Sequence, residues 1–330
     1  MQEINDLNQG DNFSTNRLLK RAEVPFVGNF NKYGGLRKEG WKKESTETEP
    51  LVSIITVVRN DVVNIEKTIL SVLNQTYNNV EYIIIDGAST DGTLDIIKKY
   101  EKYIDLWVSE PDDGIFYAFN KGIDLVTGKW VQFLNSCDFI YSNTVLTEIF
   151  IGQKIEADGV YGSMVGYLNG RKVLSEAFED IKTEAWKGAR LVHETLFVKA
   201  EIRKKFKFNT RYKVSGDGDF VLKCIANGYK FKKINVIVFE TGAQGYSATH
   251  WLLARKENWL ITRKYYPGLK TDLFNLQGLV YFVVFRFFKH VLSAVGVYGF
   301  LKKYYRRWFG DKIMREKYHY KVIDDKVKNV

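Results

Sequence analysis

Four groups of acidic residues in this chain stand where carboxylates can do chemistry. Asp86 follows the run VEYIII and opens DGASTDGT. Asp112 and Asp113 follow LWVSEP. Asp138 closes WVQFLNSCD, and Asp217 and Asp219 lie in VSGDGDF. The first three groups come at the ends of apolar runs that read as buried strands, and ligands of open α/β sheets sit at such strand ends. A carboxylate at Asp86 can accept the N3–H of a uracil ring, with Thr56 and Asn60 at the neighbouring strand end lining the same pocket. Asp91 reads as a helix cap. Of the acidic pair, Asp112 or Asp113 can contact a base or ribose or hold an Arg or Lys in the pocket, and the pair, Asp113 above all, can instead cap the following helix. The charge of a departing nucleoside diphosphate needs neutralising, and a divalent cation on Asp138 would supply that. Asn135 and Ser136 are weaker ligands beside it, so a distant residue such as His250 is a candidate to complete the shell. Asp217 and Asp219, at i and i+2 before an amphipathic helix, offer one cap and one general base for an attacking sugar hydroxyl, with Asp219 favoured as the cap. His193 and Glu194, in RLVHETLF, could order an acceptor loop, and His193 could equally be a core histidine. Together these residues point to an enzyme that handles a nucleotide-activated substrate.

The elements that must position them alternate. Val52–Val58 is a continuous β-branched run, the mark of a strand buried on both faces. Asn64 can cap a helix whose stripe is Ile65, Ile69, Leu70, Val72 and Leu73. Strands follow at Val80–Ile85, Ile104–Ser109 and Trp130–Leu134, with helices after Asp91 and over Ile115–Lys121. Four strand–helix alternations with short connections predict an α/β fold, a mostly parallel Rossmann-like sheet with helices on both faces. Beyond Asp138 the rhythm changes. Thr144–Phe150 reads as a helix, and Gly159–Tyr167 and Arg171–Leu174 read as a hairpin about Asn169-Gly170. A helix over Phe220–Ala226 precedes a strand over Phe231–Val238, and His250–Tyr265 is helical. The division expected is an irregular lead-in over 1–50, wrapped on the core through Pro25, Phe26, Val27 and Phe30; a nucleotide-sugar-binding half over 51–140; a half for acceptor and base over 141–266; and an appendage of apolar and basic helices over 267–330.

With 330 residues, 45% hydrophobic and 27% charged, the chain can fill a packed core and is not a disordered polymer. Its net charge is +10, and residues 301–330 hold ten Lys or Arg against four Asp or Glu, so +6 falls in the last thirty positions. A basic tail after an aromatic, apolar segment suits an anionic membrane surface or a second subunit. No zinc-finger spacing and no RNA-binding aromatic motif supports nucleic acid as a partner. Cys137 and Cys224 form no disulfide framework, which suits a reducing cytosol. The polar N-terminus does not read as a signal peptide, and no uncharged apolar stretch is long enough for a membrane span.

PLVSIITVVRN, YIIIDGASTDGT, SEPDDGIFYAFNKG and FLNSCD, in that order and spacing, resemble family 2 glycosyltransferases with the GT-A fold. The branch they resemble is that of bacterial exopolysaccharide, O-antigen and colanic-acid-type enzymes, and the resemblance runs from Gly34 to Val238. It implies that Thr56, Asn60 and Asp86 bind uridine, that Asp112 belongs to the nucleotide side, and that Asp138 is the metal position for Mn²⁺ or Mg²⁺. The family's Glu-Asp pair, whose Asp is the catalytic base, falls on Gly216-Asp217, so the base is kept and the Glu is not. The first Asp of the family's D-x-D is replaced by Asn135 or Ser136, and Cys137 stands in place of a usual Gly. The resemblance implies an inverting enzyme that moves a hexose or N-acetylhexosamine from a UDP-sugar to a saccharide acceptor. That acceptor would be undecaprenyl-diphosphate-linked, and the enzyme would sit peripherally at the inner face of the plasma membrane. A homo-oligomer through the C-terminal helices is the other use for the tail. A nucleotidyltransferase of the same fold would carry a Gly- and Arg/Lys-rich loop after the first strand, and ITVVRNDVV has none. A non-catalytic carbohydrate-binding or assembly protein would not need acids at 86, 138 and 217.

Overall fold

The structure, a computed structural model, describes residues 19–22, 29–152, 154–168, 171–189, 191–241, 249–294 and 320–324. Three short strands come first: β1 (Lys20–Arg21), β2 (Lys32–Gly34) and β3 (Trp41–Lys42). The apolar runs then form the strands that hold the molecule together. In β4 (Val52–Val58) and β5 (Val80–Asp86) all seven residues of each are buried. Each Val or Ile so buried contributes about 1.5–3 kcal/mol relative to exposure. Helix α1 (Ile65–Leu73) joins them and buries Ile65, Ile69, Val72 and Leu73. Helix α2 (Thr93–Lys99), β6 (Leu106–Ser109), α3 (Ile115–Leu125) and β7 (Trp130–Asn135) complete the first half. Asn64 holds the N-cap position of α1 without a capping bond, and its amide donates to Asp61 instead. Asp91 does brace its loop, accepting from the backbone N–H and hydroxyl of Thr93 and from the N–H of Val62.

Strands β7, β4, β5 and β6 lie side by side in that order and are parallel. Chain order therefore reverses between β4 and β7, which is where a parallel sheet opens a crevice at its carboxyl edge. The rest of the sheet is not parallel, and the expected mostly parallel sheet is in fact mixed. Strands β8 (Asp138–Ile140), β9 (Gly159–Leu168), β10 (Arg171–Ser175) and β11 (Leu196–Lys199) extend it, β11 pairing antiparallel with both β7 and β9. Strand β12 (Phe231–Thr241) runs parallel to β9 and antiparallel to β8. Helices α4 (Val145–Phe150), α5 (Ala200–Lys205) and α6 (Gly216–Ala226) cover this half. The architecture is an α/β fold, a central mixed sheet flanked by helices, with a helical C-terminal region, α7 (Trp251–Tyr265) and α8 (Leu269–Ala294).

Two regions are bound into the fold more firmly than the sequence suggests. The lead-in is fixed by buried ion pairs, Arg37 Nη2 to Glu81 Oε1 at 2.6 Å and Lys43 Nζ to Asp105 Oδ2 at 2.8 Å. Phe30 packs on the core beneath the sheet, while Pro25, Phe26 and Val27 lie outside the described residues. The C-terminal region is not helical throughout. Strand β13 (Tyr320–Asp324) returns to pair antiparallel with β10, and α8 packs on α7 through Trp259 Nε1, which donates to Asp272 Oδ1 at 2.7 Å. Residues 295–309, expected to be helical, and the Asn169-Gly170 turn lie outside the described residues.

Candidate active site

The crevice between β4 and β7 holds a cleft of about 910 Å³. Val57, Val58 and Arg59 line it from the end of β4, and Asn135, Ser136, Cys137 and Asp138 from the end of β7. Asp112 and Asp113 close one side and Glu194, Tyr212 and Lys213 the other. Asp112 Oδ1 accepts from the Gly114 N–H, and its other oxygen lies where a side chain on residue 87 would begin, 2.7 Å from an ideal Cβ. Gly87 therefore leaves room for this carboxylate at the cleft.

Three of the residues expected to bind the nucleotide do not line the cleft. Thr56 is fully buried, two positions before the end of β4, and its Oγ1 accepts from the Tyr82 hydroxyl at 3.1 Å. Asp86 ends β5 fully buried, receiving the hydroxyl and N–H of Ser89 and the hydroxyl of Ser109. Its carboxylate shapes the loop that follows. Asn60 has a left-handed backbone, φ 53°, and its Oδ1 accepts from the Thr90 N–H across the same loop. These residues build the loop beside the cleft, while Arg59, which the sequence reading passed over, brings a positive charge into the cleft itself. Its one sequence signal is its place directly after the first long strand.

A chain of polar contacts runs inward from Asp138. Asn135 Nδ2 lies 3.4 Å from Asp138 Oδ2, 2.6 Å from Glu194 Oε1 and 3.2 Å from His193 Nε2. His193 Nδ1 in turn lies 3.4 Å from Asp217 Oδ2, and its ring packs edge-on to Phe119. Burial, then the charge of Glu194, pushes the Asp138 carboxyl up to about 7. Burial also raises Glu194. At His193 burial works against the charge, but Glu194, Asp217 and Asp138 outweigh it and hold the imidazole above its ordinary pKa. Three acids thus act on one imidazole. Asn135 Oδ1 is buried there without a hydrogen-bond partner. Among the described residues no three His, Cys, Asp or Glu side chains converge as a metal cage. One carboxylate and one amide oxygen fit a hard cation only if diphosphate oxygens and water complete its shell. His250, exposed before α7, does not line the cleft, so nothing in the geometry brings it to Asp138.

Asp217 starts α6, with its side chain about 25% exposed, and its Oδ1 accepts from the Gly218 N–H at 2.8 Å. It stands behind His193 and Glu194, outside the cleft lining. Asp219 faces elsewhere: it is buried and ties α6 to α7 through Lys264 Nζ and the Tyr265 hydroxyl, each at 2.9 Å. Its carboxylate thus tethers one helix to the other and does not cap α6. Of the three departures from the motifs, the one at Gly216 has a physical reason, while at Cys137 the backbone favours the usual glycine and nothing in the structure explains the cysteine. A Cβ on Gly216 would lie 2.8 Å from the Phe116 ring, so the aromatic ring occupies the space a longer residue would need. Cys137 has φ 75°, a left-handed backbone that glycine adopts without the Cβ penalty.

The model of the family described as "Glycosyl transferase family 2" matches residues 53–212. A PGL/p-HBAD biosynthesis glycosyltransferase of Mycobacterium tuberculosis is 29% identical over 184 residues, which span 54% of this chain and 71% of that protein. The mannosyltransferase PcManGT from Pyrobaculum calidifontis, solved in complex with GDP-Man and Mn²⁺, superposes with a TM-score of 0.52 at 17% identity, covering 80% of this chain and 84% of that one. S. aureus TarS 1-349 in complex with UDP-GlcNAc gives 0.52 at 18% identity, covering 65% and 71%. At these identities the two structures share the fold.

Proposed function

We propose that this chain is a member of glycosyl transferase family 2, whose model matches residues 53–212, and an inverting enzyme that moves a hexose or N-acetylhexosamine from a UDP-sugar to a lipid-linked saccharide acceptor. The observation that carries this is the polar chain Asp138–Asn135–Glu194–His193–Asp217, which joins an acid at the donor cleft to an acid at a helix start beyond it. An inverting transfer needs those two acids on opposite sides of the reacting carbon, one near the leaving diphosphate and one near the incoming hydroxyl. In this reading the nucleotide lies along β4 with Asp112 on its ribose or base side and Arg59 near its charge. Asp138 and Asn135 would hold Mn²⁺ or Mg²⁺, which when bound supplies positive charge to the departing UDP. Asp217 takes the proton of the acceptor hydroxyl as that oxygen attacks the anomeric carbon, and His193 keeps the carboxylate turned toward it. A biosynthetic glycosyltransferase related by sequence supports the transferase reading, and the two structures that share the fold hold nucleotide sugars, UDP-GlcNAc in one and GDP-Man in the other.

The experiment is turnover by the full-length protein with UDP-glucose, UDP-galactose, UDP-GlcNAc and UDP-GalNAc, with GDP-mannose as the contrast. Synthetic saccharide acceptors with and without a lipid diphosphate complete the panel. Product from a UDP-sugar, with the anomeric configuration inverted by NMR, is the expected result. Product from GDP-mannose alone would remove the uridine assignment.

We place the enzyme peripherally on an anionic membrane. Leu269, Leu273, Leu276, Val280, Val283 and Phe287 stand exposed along α8. They recur at spacings of three and four residues, so they share one face. Among the described residues no helix is long and apolar enough to cross a bilayer. The basic stretch that follows, apart from β13, lies outside the described residues. Flotation with phosphatidylglycerol liposomes is expected to carry the protein upward, less so after Leu273→Glu with Val280→Glu. Wild-type protein that stays at the bottom would end this assignment.

A further inference from the structure

A second hollow, of about 780 Å³, lies between the 3₁₀ turn Ala185–Lys187, α7 and α8. Its walls are unlike those of the donor cleft. Trp251, Trp259, Phe274 and Leu279 supply apolar surface, and Arg255 and Lys256 supply positive charge. The aromatic walls are held in place: Trp259 by its bond to Asp272, Phe274 by edge-on packing on Trp186 at 5.5 Å. Gly278 clears room for the guanidinium, because a Cβ there would come within 2.8 Å of Arg255 Nη1. A saccharide needs polar groups converging on its hydroxyls. Apolar aromatic walls beside the cationic side chains of α7 instead suit an amphiphile with an anionic head.

The position of this groove gives it a role. A Cβ built on Gly218, next to Asp217, would meet Ala189 Cβ and Asn258 Oδ1, each at 3.6 Å, and both residues line the groove. Ala189 also lines a small hollow of about 200 Å³, which shares Met164 and Val192 with the donor cleft. Groove, hollow and cleft therefore share walls in succession, and Gly218, the neighbour of Asp217, stands against the groove at Ala189 and Asn258. At its other end the groove is floored by α8, whose exposed apolar face continues through Val280, Val283 and Phe287.

We propose that the groove seats the lipid end of the acceptor. The occupant is a single apolar chain bearing a phosphate or diphosphate, with the head at Arg255 and Lys256 and the attached sugar directed past Ala189 to Asp217. This rests on the transferase reading above and adds the place where the acceptor is held. It also explains why the base stands outside the donor cleft: it serves a substrate that arrives from the other side.

The test uses full-length protein and dodecyl phosphate below its micelle concentration, followed by calorimetry and tryptophan fluorescence. Saturable binding is expected, weakened by about tenfold or more, some 1.4 kcal/mol, in Leu279→Glu and in the exposed Lys256→Glu. UDP binding and thermal melting report whether each variant is folded, and Lys256→Glu, on the surface, keeps the test alive if Leu279→Glu does not fold. Dodecyl maltoside supplies the chain without the charge and inorganic phosphate the charge without the chain, and neither is expected to match the probe. Absence of saturable binding, equal binding of dodecyl maltoside, or binding untouched by both substitutions would overturn the proposal. So would binding that needs phosphatidylglycerol vesicles, which would make the surface a membrane contact. The transferase reading has a separate readout. Turnover onto a water-soluble acceptor without dodecyl phosphate binding would remove the groove alone, and the reverse result would remove the transferase alone.

Discussion

Asp217→Asn is expected to lower turnover by about 10²–10⁴-fold, the usual cost of losing a general base, and to leave UDP binding as it is. The substitution is close to isosteric. The amide oxygen can still accept from the Gly218 N–H, so the start of α6 keeps its bond. What changes is basicity: an amide cannot take a proton from a sugar hydroxyl. The nucleotide side does not feel the change directly, because Asp217 is outside the cleft lining and is joined to the polar chain through His193. Single-turnover rates and calorimetry of UDP binding check the two halves of the expectation. A mutant that turns over at the wild-type rate would show that the proton goes elsewhere, with His193 and Glu194 the nearest groups to examine.

The parts of this site that the sequence discloses are those written in contiguous residues. Val52–Val58 and Val80–Asp86 announce themselves because a strand buried on both faces must be apolar throughout. The same property hides which side chain at the strand end turns outward, since a continuous run has no alternation to read. That is why Thr56 read as a pocket residue when its hydroxyl is enclosed with Tyr82. The partners of Asp86 are hidden for a related reason: one of them, Ser109, is 23 positions away on β6, and only the parallel register brings them together. In the mixed half β9, β10 and β12 are legible as strands, while β8 with three residues and β11 with four are too short for a period to show. Strand β13 has no nearby hairpin partner, and its mate β10 lies more than 140 residues earlier. Contacts over such separations also hold the candidate site together. His193 and Asp217 are 24 residues apart, Asn135 and Glu194 are 59, and no local pattern marks either pair.

Asp138→Ala is expected to remove the contribution of metal to both binding and turnover, with a fall in rate of about 10²-fold or more, given that charge stabilisation by a bound cation is worth several kcal/mol. The reasoning starts from the electrostatics of the unliganded cleft. Asp138 is nearly buried, and burial together with Glu194 raises its carboxyl to about 7, so by itself the site disfavours the negative charge. A divalent cation arriving with a diphosphate would reverse that balance, and Asn135 Oδ1, buried without a partner, could share in holding it. Removing the carboxylate leaves only the neutral amide, and a hard cation does not stay on one amide oxygen. Fold should survive, because the backbone of Asp138 remains: its carbonyl still accepts from Thr68 Oγ1, and β8 still pairs with β12. UDP titrated with and without Mn²⁺ should therefore show a metal-dependent gain in the wild type and none in the variant. Wild-type enzyme that works at full rate in excess chelator would remove the metal from this mechanism, and the burden of neutralising the leaving diphosphate would pass to Arg59 and Lys213, the cations that line the same cleft.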